Sequence, residues 1–122
     1  MTRSSLLGSV SALALALAAQ GALAGNTANV SQSGLSDAVS ITQVGSNDAE
    51  INQTGTNDSA TVSQTGSGNL VDSSHYGYGQ SNTNDSYTAS QEGIGNQAWE
   101  YQYGTNASAT TDQNGNNNTL YV

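Results

Sequence analysis

The chain has 122 residues with no Cys, no Pro and no Phe, and nine acids against one Lys or Arg give it a formal charge of −8. That single cation is Arg3, so everything after the first few residues lacks Lys and Arg. Such a chain cannot neutralise phosphates, which argues against nucleic-acid binding, has no attraction to anionic lipid, and has no disulfide framework.

The first element is a leader. Arg3 precedes the apolar run LLGSVSALALALAA (Leu6 to Ala19), and Ala22-Leu23-Ala24 supplies a small-x-small exit before Gly25. A charged start, an apolar stretch and such an exit predict a secretory signal peptide over residues 1–24, cleaved after Ala24. A membrane span needs roughly 20 apolar residues, and this run is shorter. The remaining domain, 25–122, holds only twelve Leu, Ile and Val in 98 residues. That is below the roughly 20% at which chains stop folding on an ordinary core, because so little apolar burial cannot offset the entropy of ordering them. Order must therefore come from repetition.

The repetition is a Gln-x-Gly motif. It begins at Gln32, Gln43, Gln53, Gln64, Gln91, Gln102 and Gln113, at steps of 11, 10, 11, 27, 11 and 11. Inside the long step, His75 sits 11 after Gln64, and the extra residues enlarge a loop around Tyr78 to Asn82; a phase through Gln80 is the alternative. Asn47, Asn57, Asn69, Asn96, Asn106 and Asn118 follow the glycines by two or three positions. ATVSQ (Ala60 to Gln64) and AEINQ (Ala49 to Gln53) alternate with period two, as half-buried strands do. Gly and Asn accept left-handed dihedrals, so each Gly-x-Asn predicts a tight turn.

Strand and turn repeated at about 22 residues per two units predict an all-β fold, a β-solenoid of about four coils. Like residues then stack at roughly 4.7–4.8 Å. Thr119 to Val122 is expected to make a last partial strand. Ala60, Val62 and Gln64 face inward on this phase, with Thr61 and Ser63 outward. A lone buried carboxamide is costly, but stacked Gln side chains satisfy one another along a ladder. Coils at the ends would then expose unpaired backbone and half-satisfied Gln, which makes a growing tip and a cross-β polymer.

This unit, Gln-x-Gly-x-x-Asn-x-Ala-x-x-x-Gln, resembles the curlin repeat of bacterial curli fibres, from about Ala28 to Asn118. Gln91 to Gln102 (QEGIGNQAWEYQ) carries the resemblance best; Gln53 to Gln64 differs by one position at Ala, and Gln43 to Gln53 is one residue short. The resemblance implies an exported functional-amyloid subunit that leaves a diderm bacterium through an outer-membrane pore and polymerises at the surface into biofilm fibres, with a nucleator or major-subunit paralogue as partner. It implies templating by Gln32, Gln43, Asn47, Gln53, Asn57, Gln64, Gln91, Asn96, Gln102, Asn106 and Gln113. Major subunits carry a Gly-rich segment before the first repeat, and nucleators tend to carry basic residues near the C-terminus; neither feature is in this chain, so its place among them stays open.

Other features have plainer readings. The Asn-Asp pairs at 47–48, 57–58 and 84–85 are good turn residues rather than calcium sites, since calcium wants six to eight oxygens; the acids also serve as charge gatekeepers against early assembly. His75 either titrates within a ladder or is an ordinary surface His of a degenerate repeat. No Cys or paired His supports a metal centre or a nucleophile, so no cofactor and no enzymatic activity are expected. Trp99, Tyr101 and Tyr103 are expected on one outward face, forming with Tyr76, Tyr78 and Tyr87 an adhesive stripe or, more plainly, packing fibres laterally. The rival function is a monomeric solenoid that binds ice or a glycan. Its outward Thr rows would need to be regular, and Thr42, Thr61 and Thr88 are interrupted by Asn52 and Ser63.

Overall fold

A computed structural model describes residues 12–18, 25–75 and 82–122. It contains nine strands and no helix among these residues: β1 (Ala12–Ala18), β2 (Thr27–Leu35), β3 (Ala38–Thr56), β4 (Ser59–His75), β5 (Asn82–Thr83), β6 (Ser86–Ile94), β7 (Gln97–Gln102), β8 (Ser108–Asn116) and β9 (Thr119–Tyr121). Every pairing is parallel. β1 falls within the predicted signal peptide and joins the sheet as a strand; the other residues of that segment lie outside the described ones.

The strands form two walls of a β-solenoid. On the first, β1, the front half of β3, the front half of β4, β6 and β8 stack in that order. On the second, β2, the back half of β3, the back half of β4, β7 and β9 do the same. β3 and β4 are long because each runs through a corner and serves both walls. Ala38 lies over Ser59, Ser59 over Ser86 and Ser86 over Ser108, which gives coils of 21, 27 and 22 residues. His75 pairs with both Gln53 and Gln102, so it holds the Gln register, and the phase through Gln80 is ruled out. The insertion falls between His75 and Asn82. Gln80, Tyr76 and Tyr78 lie there, outside the described residues.

Period-two alternation sets the interior, as the sequence predicts. Ala60, Val62 and Gln64 are buried while Thr61 and Ser63 are exposed. The apolar core is a thin file of small residues: Val39, Ile41, Ala49, Ile51, Ala60, Val62, Val71, Tyr87, Ala89 and Ala98. Tyr87 corrects the expectation of an outward stripe, because it is 1% exposed. Its row explains why. Tyr87 stands between Ala60 and Ala109, and two alanines leave the volume that a phenol ring fills.

The corners depend on backbone that few residues adopt. Ser36, Asn57, Asn84 and Asn106 take φ of 58–62° at one corner, and Gly68, Gly95 and Asn117 take 59–68° at the other. The short unit from Gln43 to Gln53 lacks the residue that would take this conformation, and the ladder slips there between Ser46 and Asp48. Left-handed backbone costs little for Gly and Asn, which accounts for their recurrence.

Candidate functional site

The inward Gln residues of the first wall form a continuous hydrogen-bonded ladder. Gln43 Nε2 donates to Gln64 Oε1 at 2.8 Å, Gln64 to Gln91 at 2.9 Å, and Gln91 to Gln113 at 2.7 Å. Each Nε2 also donates sideways to a backbone carbonyl at the start of the second wall: Thr27, Asp48, Leu70 and Gln97, at 3.0–3.1 Å. Gln43, Gln64 and Gln91 use both amide protons, so the ladder has a direction, with acceptors facing β1 and donors facing β8. On the second wall Gln32 and Gln53 approach to 3.0 Å, the Gln53 oxygen being best placed to accept from the N–H groups of Ser59 and Ala60. Gln102 Nε2 donates to Ser86 O at 3.1 Å. His75 takes the rung between Gln53 and Gln102.

A second ladder occupies the corner after each first-wall strand. The backbone N–H of Asn47 donates to Asn26 Oδ1 (3.0 Å), that of Asn69 to Asn47, that of Asn96 to Asn69 and that of Asn118 to Asn96, the last three at 3.0–3.3 Å. Their Nδ2 groups close onto carbonyls three or four residues back, Val44, Thr65, Glu92 and Asn114. Each Asn thus satisfies its own turn and the next rung.

At the opposite corner the same device is built from acids. Asp58 N–H donates to Asp37 Oδ1 (3.2 Å), Asp85 N–H to Asp58 Oδ1 (3.1 Å) and Ala107 N–H to Asp85 Oδ1 (2.8 Å). Asp37, Asp58 and Asp85 are fully buried. Asn57 and Asn106, expected to face inward, are exposed at the left-handed positions just before this corner; Asn106 accepts from Asn84 Nδ2 at 3.2 Å on the surface. The two corners look alike in sequence as Asn shortly after Gly, but one reads Gly-x-x-Asn (Gly66 to Asn69, Gly93 to Asn96, Gly115 to Asn118) and the other Gly-x-Asn (Gly55 to Asn57, Gly104 to Asn106). The ladder position is therefore the Asn itself at one and the following residue at the other. A one-residue phase difference between alternate units is the signal that finds it.

Stacked carboxylates about 4.8 Å apart repel by roughly 3 kcal/mol per neighbour at an effective dielectric of about 20. Asp58→Asn keeps the Oδ1 acceptor and removes the charge from the middle of the three. It is expected to raise stability by about 1–3 kcal/mol, read as a higher urea midpoint, and to shorten any lag in assembly. A lower midpoint would mean that charge-assisted N–H bonds outweigh the repulsion.

Two further pairs of polar groups sit inside. Ser73 Oγ donates to Glu100 Oε2 at 2.6 Å, and Tyr87 Oη bonds Thr111 Oγ1 at 3.0 Å. Burial raises the Tyr87 pKa; the bond to Thr111 lowers it and Glu100 raises it further. On the outer second wall, Glu50 and Asp72 stack as register partners, and Trp99 stacks on Tyr121 with ring centroids 4.8 Å apart. Tyr101 and Tyr103 lie exposed nearby. Partial burial, then Glu50, lifts the Asp72 carboxyl above its ordinary 3.8. A carboxyl with a raised folded pKa binds its proton more readily in the folded state. The solenoid therefore carries a penalty above that raised pKa and sheds it as the pH falls towards 3.8. Urea midpoints measured from pH 7 downward should rise through this window, and Asp72→Asn should flatten the rise. Among the described residues no group of three or more His, Asp or Glu is placed to hold a metal.

Parallel coils, in-register amide ladders and a polar interior define a β-solenoid whose order is carried by stacking. Residues 46–72, which run from the first corner of β3 into the second wall of β4, match the family model described as the curlin associated repeat, so this stretch carries a curlin-like repeat. No curated protein matches the chain at a level that marks a relative.

Proposed function

We propose that this chain is an exported structural subunit that polymerises coil upon coil into extracellular fibres. The observation that supports this most directly is the directional Gln ladder from Gln43 to Gln113, whose two ends are complementary. Stacking of identical amides satisfies buried carboxamides only when another rung follows. By the curlin resemblance the leader 1–24 is removed after Ala24, the mature chain passes an outer-membrane pore of a diderm bacterium, and a nucleator or major-subunit paralogue starts the fibre. The fibres contribute to biofilm matrix and adhesion, and the exposed Tyr101, Tyr103 and Tyr121, with the half-buried Trp99, are the surface for lateral packing. The eleven templating positions are assigned the roles that the resemblance gives them, with Asn69 and Asn118 added because they complete the corner ladder.

The test is to release residues 25–122 from denaturant and follow circular dichroism and thioflavin fluorescence with and without preformed seeds. A coil-to-β transition with a lag that seeds abolish is expected. A β monomer that forms at once, independently of concentration and seeds, would overturn the reading.

A further inference from the structure

β1 covers the front edge of β3 from Ala12 opposite Ala38 to Ala18 opposite Val44. Its Ala-Leu alternation places Leu13, Leu15 and Leu17 at the register positions of Val39, Ile41 and Gln43, the inward row of that wall. The apolar pattern of the wall continues into the leader, but the amide ladder does not. Leu17 stands where the rungs that follow carry Gln.

Gln43 shows the consequence. The side-chain oxygens of Gln64, Gln91 and Gln113 each accept from the Nε2 of the preceding rung. Gln43 Oε1 is fully buried and has no hydrogen-bond partner. A buried acceptor left in this state is destabilising, and an apolar Leu at the covering register position has no side-chain donor for it. At the other end, Gln113 Nε2 donates to Gln97 O and has a second amide proton directed along the ladder.

We propose that β1 is a cap held on the growth edge, and that the strand belonging there is β8 of a second copy of this chain. The inference rests on the fibre-subunit reading and adds the register of the contact and the way it is blocked. Pairs β3–β4 and β6–β8 share one offset, Gln on Gln and Gly on Gly. The same offset puts Ser108 on Ala38, Gln113 on Gln43 and Gly115 on Gly45. The glycines make this register selective. A Cβ on Gly45, Gly66 or Gly93 would lie 1.8–1.9 Å from the carbonyl oxygen of the next rung's glycine, so no other residue of β8 fits against Gly45.

The second wall then requires an exchange. The incoming β9 would need the rung held by β2, yet β2 pairs through nine positions and β9 through three. β9 yields, and β2 pairs with the β7 it leaves, Ala28 on Ala98 and Gln32 on Gln102. In the whole chain β1 prevents all of this, because an edge already paired cannot accept a strand. Its cover is imperfect at Gln43, so the better-matched β8 replaces it once the leader is gone.

The test compares three forms as monomers offered to seeds grown from the chain beginning at Gly25: the whole chain, the whole chain with Leu15→Asp, and the Gly25 chain itself. A competent edge that is rarely exposed lowers the apparent rate by its open fraction, and the whole chain is expected to extend seeds at least about tenfold more slowly than the Gly25 chain. Leu15→Asp, which puts a charge at the register position of Ile41, is expected to restore most of that rate. Register is read by mixing Ser40→Cys and Thr110→Cys versions of the Gly25 chain, both positions being exposed. These should form a disulfide with each other in fibres, since stacked rungs lie at about 4.8 Å, within disulfide reach; Thr61→Cys with Thr110→Cys should not. Equal rates for the whole chain and the Gly25 chain would overturn the cap while leaving the fibre reading intact, as would a Leu15→Asp chain that stays slow. A Thr61–Thr110 cross-link would overturn the register. If no form extends seeds, the fibre reading fails and this inference fails with it.

Discussion

Gln64→Leu is expected to cost the folded solenoid about 3–6 kcal/mol, the sum of two or three buried polar groups left unpaired. Gln64 is fully buried at the centre of the ladder. It accepts from Gln43 and donates both to Gln91 Oε1 and to Asp48 O. Leu fills nearly the same volume, so the loss reports hydrogen bonding rather than a cavity. The comparison is Ser63→Ala, one residue away and exposed, which should stay within about 0.5 kcal/mol. Urea unfolding of the two variants beside the parent decides it. A Gln64→Leu midpoint indistinguishable from the parent's would mean that the apolar file alone holds the walls together.

Gly66→Ala is expected to be at least as severe. A Cβ there would sit 1.9 Å from the carbonyl oxygen of Gly93 and 2.9 Å from its carbonyl carbon, both backbone atoms. Backbone at the next rung cannot turn away as a side chain can. Gly66 also holds φ at 120°. Strain of about 1–3 kcal/mol from the dihedral and a similar amount from forced repacking together approach the whole stability of a chain with so small a core. Gly104→Ala separates the two causes, because Gly104 has nearly the same φ, 119°, and nothing within 4 Å of its Cβ position. It should carry the dihedral strain only, so the difference between the two variants measures the closeness of stacked coils. If both lose the same stability, close stacking contributes nothing at this corner.

Much of this architecture is legible in the sequence because its physics is local or strictly periodic. Alternation in ATVSQ fixes which side of a strand faces in, and that assignment holds residue for residue from Ala60 to Gln64. Recurrence of Gln at a near-constant step predicts an amide ladder, since an inward Gln can be satisfied only by its own kind. The corners are less legible. Asn57 and Asn47 look equivalent as Asn after Gly, yet Asn47 is a buried ladder residue and Asn57 an exposed left-handed one. Both lie two residues after Gly, but the Asn47 corner omits the left-handed residue, whereas Asn57 is itself that residue and leaves the inward position to Asp58. Tyr87 was misplaced for a related reason, because a large polar-tipped ring suits the surface unless the rows above and below are small.

Composition and period alone establish that the chain after the apolar run repeats as strand and turn, that Gln is inward, and that too few apolar residues exist for order without stacking. These follow from composition and period, which need no knowledge of neighbours. Only the tertiary structure decided that the ladder runs from Gln43 to Gln113 with one direction, that three aspartates stack unseen at a buried corner, and that His75 holds a Gln register across the 27-residue coil. It also placed β1 on the edge where Gln43 lacks a donor. Those facts depend on which rung lies over which, and register is a property of paired strands that no single strand contains.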